Sequence, residues 1–385
     1  MNTELAPPVV AKRSARLSIA AFFFLAGLCF SSWASRIPDI KSHLHLSDAG
    51  LGAVLLSLPV GLMVSLPFSG WLVHHFGSRK MVLLASVLYA SVLVTIGLVS
   101  ATWHLMLALF ALGLVGNLLN IAVNTQAVSL EVLYGRSIMA SFHGIWSLAG
   151  FTGASIGTVM INFHLQPFTH FCIVAAIAYL LVLLLYRNML QQDINADDDR
   201  PLFAKPDATL LKLGLIAMCC MVCEGAMFDW SGVYFQNVVQ VPKGLTSVGY
   251  TAFMSTMAGG RFAGDWLVIR VGIKRLMQLS GLVIACGLVL AIGLPYLVTA
   301  AVGFMLVGFG VSSVVPMVYG AAGKSTVFSP GVALAAVSTI GYLGFLAGPP
   351  MIGFIAQAAS LRWSLALIAV LGFSTTIIST KTKFG

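Results

Sequence analysis

The chain has 385 residues, 59% of them hydrophobic and 9% charged, with a mean hydropathy of +0.97. Soluble domains carry about 25% charged residues, so this composition excludes a water-soluble globular protein. Lysine and arginine number 21 against 12 acids, a net charge of +9; in a soluble chain that balance would suggest nucleic acid, whereas here its placement between apolar runs points to a bilayer and to no nucleic-acid partner.

Taken in order, apolar runs bounded by charged or turn residues cover 17–40, 50–73, 81–100, 103–129, 137–162, 168–187, 210–235, 246–268, 273–292, 296–320, 330–357 and 361–379. A spanning helix takes roughly 20 apolar residues, and twelve of them leave about 145 residues for loops and ends. The expectation is an all-α membrane protein with twelve transmembrane helices. The first run follows a basic N-terminus and precedes Ala34 and Ser35, as a signal peptide would; with eleven further spans behind it, an uncleaved first helix is the favoured reading. Pro38, Pro59 and Pro349-Pro350 are expected to kink or interrupt helices.

The basic residues recur in alternate gaps: Lys12, Arg13, Arg16; Arg79, Lys80; Arg136; Arg187, Arg200, Lys205, Lys212; Arg270, Lys274, Arg275; Lys324; Lys381, Lys383, sixteen of the 21. By the positive-inside rule these gaps and both termini are cytosolic, in a plasma (inner) membrane. The six cysteines, Cys29, Cys172, Cys219, Cys220, Cys223 and Cys286, all fall inside apolar runs, where no disulfide framework is needed. Cys220-Met-Val-Cys223 has a metal-like spacing, but no second pair or nearby histidine completes a tetrahedral set, so helix packing is the reading and no metal is expected.

One connection is long and polar, Asn188 to Thr209, with Gln191, Gln192, Asp193, Asp197, Asp198, Asp199 and Pro201. It divides the chain into an N-terminal six-helix bundle (1–187), a cytosolic linker (188–209) and a C-terminal six-helix bundle (210–385). Internal similarity supports the division. Gly77-Ser-Arg79-Lys80 after the second span is echoed 195 residues later by Gly272-Ile-Lys274-Arg275 after the eighth. Gly153-Ala-Ser-Ile-Gly157 in the fifth matches Pro349-Pro-Met-Ile-Gly353 in the eleventh, 196 residues on. Parallel repeats around a midplane site are the architecture of secondary transporters. Small-xxx-small spacings, such as Gly260 to Gly264 and Gly344 to Gly348, report close helix packing.

Ionisable groups inside a bilayer cost a few kcal/mol or more and usually face a cavity or a partner. The ones here are few. Arg36 and Asp39 end the first span three residues apart on one face, followed by Lys41, His43, His45 and Asp48; they read either as a solvated helix terminus or as a functional pair. The fourth span carries Asn117, Asn120, Asn124 and Gln126, the three asparagines on one stripe, lining a polar-solute site or bonding neighbouring helices. The fifth adds Ser141, His143 and Trp146, the last two on one face; a lone membrane histidine is more often a satisfied bundle residue. Counting 1.5 Å per residue, Glu224 on the seventh span lies past the midplane, Asp229 nearer the outside, and Arg261 on the eighth within reach of Glu224 but hardly of Asp229. Asp265, Arg270, Lys274 and Arg275, with His74, His75, Arg79 and Lys80, form clusters suited to a cytosolic gate, membrane-surface anchoring being the alternative.

An enzyme is not expected. Gly153-Ala-Ser155-Ile-Gly157 matches a hydrolase nucleophile pattern, but that motif needs a strand-to-helix elbow and this one lies within a long apolar run. No zinc-protease, Walker or dinucleotide fingerprint is present, so no cofactor is expected and the energy source would be a proton gradient.

Across nearly its whole length the chain resembles the major facilitator superfamily, and within it the fucose-permease-like (fucose:proton symporter) branch. The resemblance is carried by Gly70-x-x-x-His74-x-x-Gly77-x-Arg79-Lys80, Asn120-x-x-x-Asn124, Glu224-Gly-Ala-x-x-Asp229-Trp230-Ser231, Gly260-Arg261-Phe262-Ala-Gly264-Asp265 and Gly341-Tyr-Leu-Gly-Phe-Leu-Ala-Gly-Pro349-Pro350. It implies the major facilitator fold, two pseudo-symmetric six-helix bundles. It also implies that Asp39 matches a helix 1 aspartate tied to proton coupling, Asn124 a helix 4 asparagine and Arg261 a helix 8 arginine. Two departures stand out: Asn120 replaces a glutamate of the sugar symporter, and His74 replaces the aspartate usual in the loop after the second span.

The expected function is proton-coupled uptake of a small polar, sugar-like solute by alternating access, in a monomer. Asp39, Glu224 and Asp229 are the proton-coupling candidates. Asn120, Asn124, Gln126, His143, Trp146, Trp230 and Arg261 are the solute contacts, and Arg36, His74, Arg79, Asp265 and Arg270 the gate. The rival reading is proton-antiport efflux of amphipathic compounds.

Overall fold

The computed structural model describes residues 9–135, 138–193, 207–325, 327 and 330–382. Their regular structure is helical, with no strand among the described residues: α1 (Val9–Ser35), α2 (Ile37–His43), α3 (Asp48–Leu55), α4 (Ser57–Phe76), α5 (Ser78–Ile96), α6 (Thr102–Tyr134), α7 (Met139–Asn162), α8 (Pro167–Leu185), α9 (Ala208–Asn237), α10 (Val248–Val271), α11 (Ile273–Gly293), α12 (Leu297–Ser312), α13 (Val314–Ala322), α14 (Pro330–Ala358) and α15 (Leu361–Thr380). Each of the twelve expected spans is helical. Among the described residues, eleven stretches are long and apolar enough to cross a membrane. The helix at the remaining expected span, α10, has 24 residues, ample length, but carries Arg261, Asp265 and Arg270.

Three expected spans are each two helices. The breaks fall at Arg36, Leu56 and Ser313, shortly before Pro38, Pro59 and Pro316. A proline lacks the N–H that would bond the carbonyl four residues back and its ring crowds that carbonyl; the carbonyls concerned are those of Ala34, Leu55 and Ser312. Pro349-Pro350, in contrast, interrupt nothing: α14 runs through them.

The internal repeat is visible in the backbone. Gly77 (φ 84°, ψ 143°) and Gly272 (φ 82°, ψ 146°) adopt the same conformation immediately before α5 and α11, a region of backbone space open in practice to glycine alone. Helix pairing repeats too. Gly61 and Gly113 seat α4 against α6 backbone to backbone, and Gly308 seats α12 against α10. A side chain at any of these would collide with main chain, which is why small residues stand there.

By contacts the chain forms two compact units. The first comprises the described residues of Met1–Trp33, Ser57–Gly153 and Leu165–Asp198; the second, those of Ala34–Leu56, Ala154–His164 and Asp199–Gly385. Segments 34–56 and 154–164, from the first half of the sequence, thus group with the second half. Within this second unit α3 lies on α14, where a Cβ on Gly52 would stand 2.7 Å from the Pro349 carbonyl oxygen and one on Gly353 2.6 Å from that of Asp48. Pro38 of α2 packs on Gly232 of α9. Ser247 Oγ donates to the Ser35 carbonyl (3.1 Å), Gln236 Nε2 to Ser42 Oγ (3.2 Å) and Asn162 Nδ2 to the Gly244 carbonyl (3.0 Å).

Candidate functional site

In the first unit the asparagine stripe of α6 divides by depth. Asn117 is buried and donates to Ser65 Oγ (2.8 Å) and Ser69 Oγ (3.4 Å) of α4, a helix-packing role. Asn120 is exposed and Asn124 half-buried; Asn124 Nδ2 donates to the Asn120 carbonyl oxygen (2.8 Å) and to Asn120 Oδ1 (2.9 Å). The pair therefore pre-orients itself, with the Asn120 amide nitrogen and the Asn124 amide oxygen outside that bond. On α7, His143 is exposed and stands edge-on to Phe23 (5.5 Å between rings), while Trp146 is half-buried against Phe30 (6.2 Å). Both rings thus lie along α1. They sit that close because Gly27 carries no side chain: a Cβ there would be 2.5 Å from the Trp146 carbonyl oxygen.

Gln126, expected among the solute contacts, is placed otherwise. Its side chain is fully buried; Nε2 donates to Ser78 Oγ (2.6 Å) and the Leu190 carbonyl (3.1 Å), and Oε1 accepts from the Leu190 N–H (3.0 Å). Asp193 accepts from the Ser78 N–H (2.8 Å) and from Ser78 Oγ, capping the start of α5 where helix N–H groups lack partners. Both ends of the Gln126 amide are thus engaged in tying the segment after α8 to α5 and α6. Arg79 joins this latch, donating to the Arg187 carbonyl (3.1 Å) with its guanidinium 4.9 Å from the Tyr186 ring centre. His74 is exposed in the last turn of α4.

In the second unit Arg36 and Asp39 form an ion pair of 2.7 Å, with the Arg36 side chain buried and Asp39 part-exposed. Pro38 and the break at Arg36 set α2 at the end of α1 and hold the pair at its first turn. Lys41 pairs with Asp48 one step on. Deeper in the apolar part, Glu224 of α9 meets Arg261 of α10 at 3.3 Å, both side chains largely buried. This is the contact expected from helix rise. Asp229 is half-buried and makes no ion pair among the described residues. Trp230 is buried, and its indole N–H has no hydrogen-bond partner among the described residues. Arg270 is exposed with its guanidinium 4.5 Å from the Trp266 ring centre. Asp265 falls on α10, and its side chain lies outside the described residues, as do Arg136, Arg200, Lys205, Lys383 and residues 194–206 of the expected linker.

Sequence reasoning missed a hydroxyl cluster beside the buried ion pair. Tyr319 of α13 lies close to Ser338 of α14 and within electrostatic reach of Glu224; Tyr342, one turn beyond Ser338, is close to Tyr319. The available signal was the four-residue spacing of Ser338 and Tyr342, which puts two hydroxyls on one face of an apolar helix. Gly153 and Ser155 lie inside α7, with Gly153 packed on Ser31 of α1. That is a packing motif and no nucleophile elbow.

A polytopic helical bundle with an internal repeat and a buried ion pair between two of its long helices defines a transporter-like membrane protein. The Major Facilitator Superfamily model matches residues 19–330, and the chain belongs to that family. It is 35% identical over 359 residues to an uncharacterized MFS-type transporter of Yersinia pestis, covering 93% of each chain. It is 31% identical over 359 residues to the membrane protein MosC of Rhizobium meliloti, covering 92% of this chain and 87% of that one. Among solved structures, the nucleoside transporter NupG aligns with a TM-score of 0.73 at 16% identity, covering 96% of this chain and 100% of that one. A bacterial homolog of the human lysosomal transporter Spinster, inward-facing and occupied, also aligns at 0.73 and 16%, covering 95% and 96%. The protein is therefore an integral membrane transporter of the secondary active type, and no enzyme.

Proposed function

We propose that this transporter couples proton movement to uptake of a small polar solute of the sugar or nucleoside class, working by alternating access of two six-helix halves (1–187 and 210–385) joined by the 188–209 linker. The observation that carries the reading is the Glu224–Arg261 pair, two opposite charges 3.3 Å apart and largely buried on membrane-spanning helices. Buried ion pairs are a poor source of net stability, and a membrane carboxylate is by default a functional group. A proton arriving on Glu224 cancels the attraction to Arg261 and changes what α9 and α10 hold together. Asp39, paired with Arg36, and Asp229 are the further proton sites.

Asn120, Asn124 and Trp146 are the solute contacts of the first unit, offering amide donors and acceptors beside an aromatic face. Trp230 and Arg261 serve the second. His143, exposed beside Phe23, is a lesser contact. Gln126 drops out of the set, because its amide is spent on the latch. Arg36, His74, Arg79, Asp265 and Arg270 belong to the gates. The alternating distribution of basic loops supports cytosolic termini and a plasma-membrane location. The fucose-permease-like motifs favour a sugar. One solved structure of this fold is a nucleoside transporter, so nucleosides join the sugars to be screened.

The test is transport by the purified protein in proteoliposomes. Solutes that raise its unfolding temperature are selected from sugars, nucleosides, organic acids and common drugs, then offered outside with the outer medium acidic. The expected result is accumulation above the equilibrium level that disappears when a protonophore collapses the gradient. Accumulation indifferent to the gradient refutes proton coupling, and proton-driven extrusion of amphipathic drugs with no uptake establishes efflux in its place.

A further inference from the structure

Away from the ion pairs and amides, the first unit carries a groove of about 260 Å³ between α5 and α8, lined by Leu83, Val87, Tyr179, Val182, Leu183, Tyr186 and Arg187. Its walls belong to two helical stripes. On α5 Leu83 and Val87 line it, with Lys80 and Ser91 on the same face beyond them at spacings of three and four, and Tyr179, Val182, Leu183 and Tyr186 recur likewise along α8 and the turn that follows it. The two helices run antiparallel, so Lys80 in the first turn of α5 and Arg187 just past the end of α8 stand at the same end of the groove. Ser91 Oγ and Tyr179 Oη are hydrogen-bonded (2.8 Å) one turn beyond Val87, joining the helices at the other end.

No other part of the described protein covers this surface. Leu183 is 76% exposed, and Val87 and Tyr179 are exposed as well. Both helices are spans of membrane-crossing length and composition, so what covers the groove is the bilayer. Lipid contact by itself explains an apolar face. It does not explain a cleft with cations at one end only. Lys80 and Arg187 are exposed. Arg79 donates to the Arg187 carbonyl and lies over Tyr186, bracing the mouth. No acid is among the residues that line the groove. Asp193, the acid bound to the neighbouring start of α5, has its carboxylate engaged by the Ser78 N–H and hydroxyl. Basic pockets between membrane helices are suited to anionic lipid headgroups.

We propose that this groove is a binding site for one anionic phospholipid, its phosphate held by Lys80 and Arg187 and an acyl chain lying along Leu83, Val87, Val182 and Leu183. Phosphatidylglycerol and phosphatidylcholine of identical chains, titrated onto the purified full-length protein in detergent, differ in headgroup charge alone, and native mass spectrometry counts the lipid retained. A basic side chain near a membrane surface adds roughly fivefold in affinity for anionic lipid. The wild type should therefore retain its first phosphatidylglycerol at about 25-fold lower concentration than phosphatidylcholine, given two such side chains. The double variant Lys80→Ser/Arg187→Ser should bind both lipids equally. Val87→Trp, which fills the groove and keeps the charges, should lose the retained phosphatidylglycerol, and inorganic phosphate should not displace it.

Equal retention of the two lipids by the wild type overturns the proposal, as does a preference that survives the serine substitutions. Displacement by inorganic phosphate, or a Val87→Trp variant that retains lipid as the wild type does, overturns the acyl-chain part and leaves a plain anion site. If the double variant does not fold, Arg187→Ser alone is read, with a fall of about fivefold expected and no fall refuting the assignment.

Discussion

The buried pair of Glu224 and Arg261 offers the most direct check on how this bundle is held together. Glu224→Gln keeps the shape of the side chain and removes its charge. At 3.3 Å two unit charges attract by roughly 5 kcal/mol at the effective dielectric of about 20 suited to protein sites. Removing one partner of such a pair costs about 3–5 kcal/mol, because the other charge stays behind in apolar surroundings, whereas replacing both is far milder. Transmembrane polar contacts run weaker than this, since the membrane-embedded unfolded state finds partners of its own. The expected losses are therefore about 3 kcal/mol for Glu224→Gln and for Arg261→Gln, with the double variant losing less than their sum by about 1 kcal/mol or more. Unfolding of the purified protein by sodium dodecyl sulfate in mixed micelles, followed by circular dichroism, measures all four corners of the cycle. Losses that add to within about 0.5 kcal/mol would mean the two side chains do not interact, and the proton-coupling role drawn from their contact would fall with it.

Gly77→Ala and Gly272→Ala isolate a backbone effect, because a Cβ at either position meets nothing within 4 Å; each should cost about 1–3 kcal/mol in the same unfolding assay, and a neutral substitution would show that the turn relaxes freely. Gln126→Leu removes the hydrogen bonds to Ser78 and Leu190 and should lower stability by about 1–3 kcal/mol with solute affinity, measured by isothermal titration, unchanged. A folded variant that has lost its affinity would restore Gln126 to the solute contacts.

Contacts among the candidate residues were legible wherever they follow from helix spacing and rise. Glu224 and Arg261 could be matched because both depths follow from a constant rise per residue, and Arg36 and Asp39 because a three-residue spacing fixes a shared face. The hydrogen bonds of Gln126 were not legible, for the converse reason. The residue sits two residues after Asn124 on the same apolar helix, and its partners, Ser78 and Leu190, are 48 and 64 residues away. Nothing in the spacing of α6 reveals which segment will dock there. The hydroxyls of Tyr319, Ser338 and Tyr342 escaped for a related reason: they come from two helices, and each is unremarkable alone.

What the letters alone determined is what the bilayer demands of any chain. Backbone groups without water must be paired within their own helix, so hydropathy and length suffice to locate the spans, and Pro38 and Pro59 to locate the breaks in two of them. Charge placement and the 195-residue echo follow from the same one-dimensional record. Only the tertiary structure decided which buried polar atoms found each other, which amide atoms stayed outside those bonds, and that α5 and α8 leave a cleft with cations near one mouth. Apart from the Arg36–Asp39 and Glu224–Arg261 pairs, which helix spacing and rise already match, those outcomes depend on side-chain contacts of a few ångströms between segments far apart in sequence.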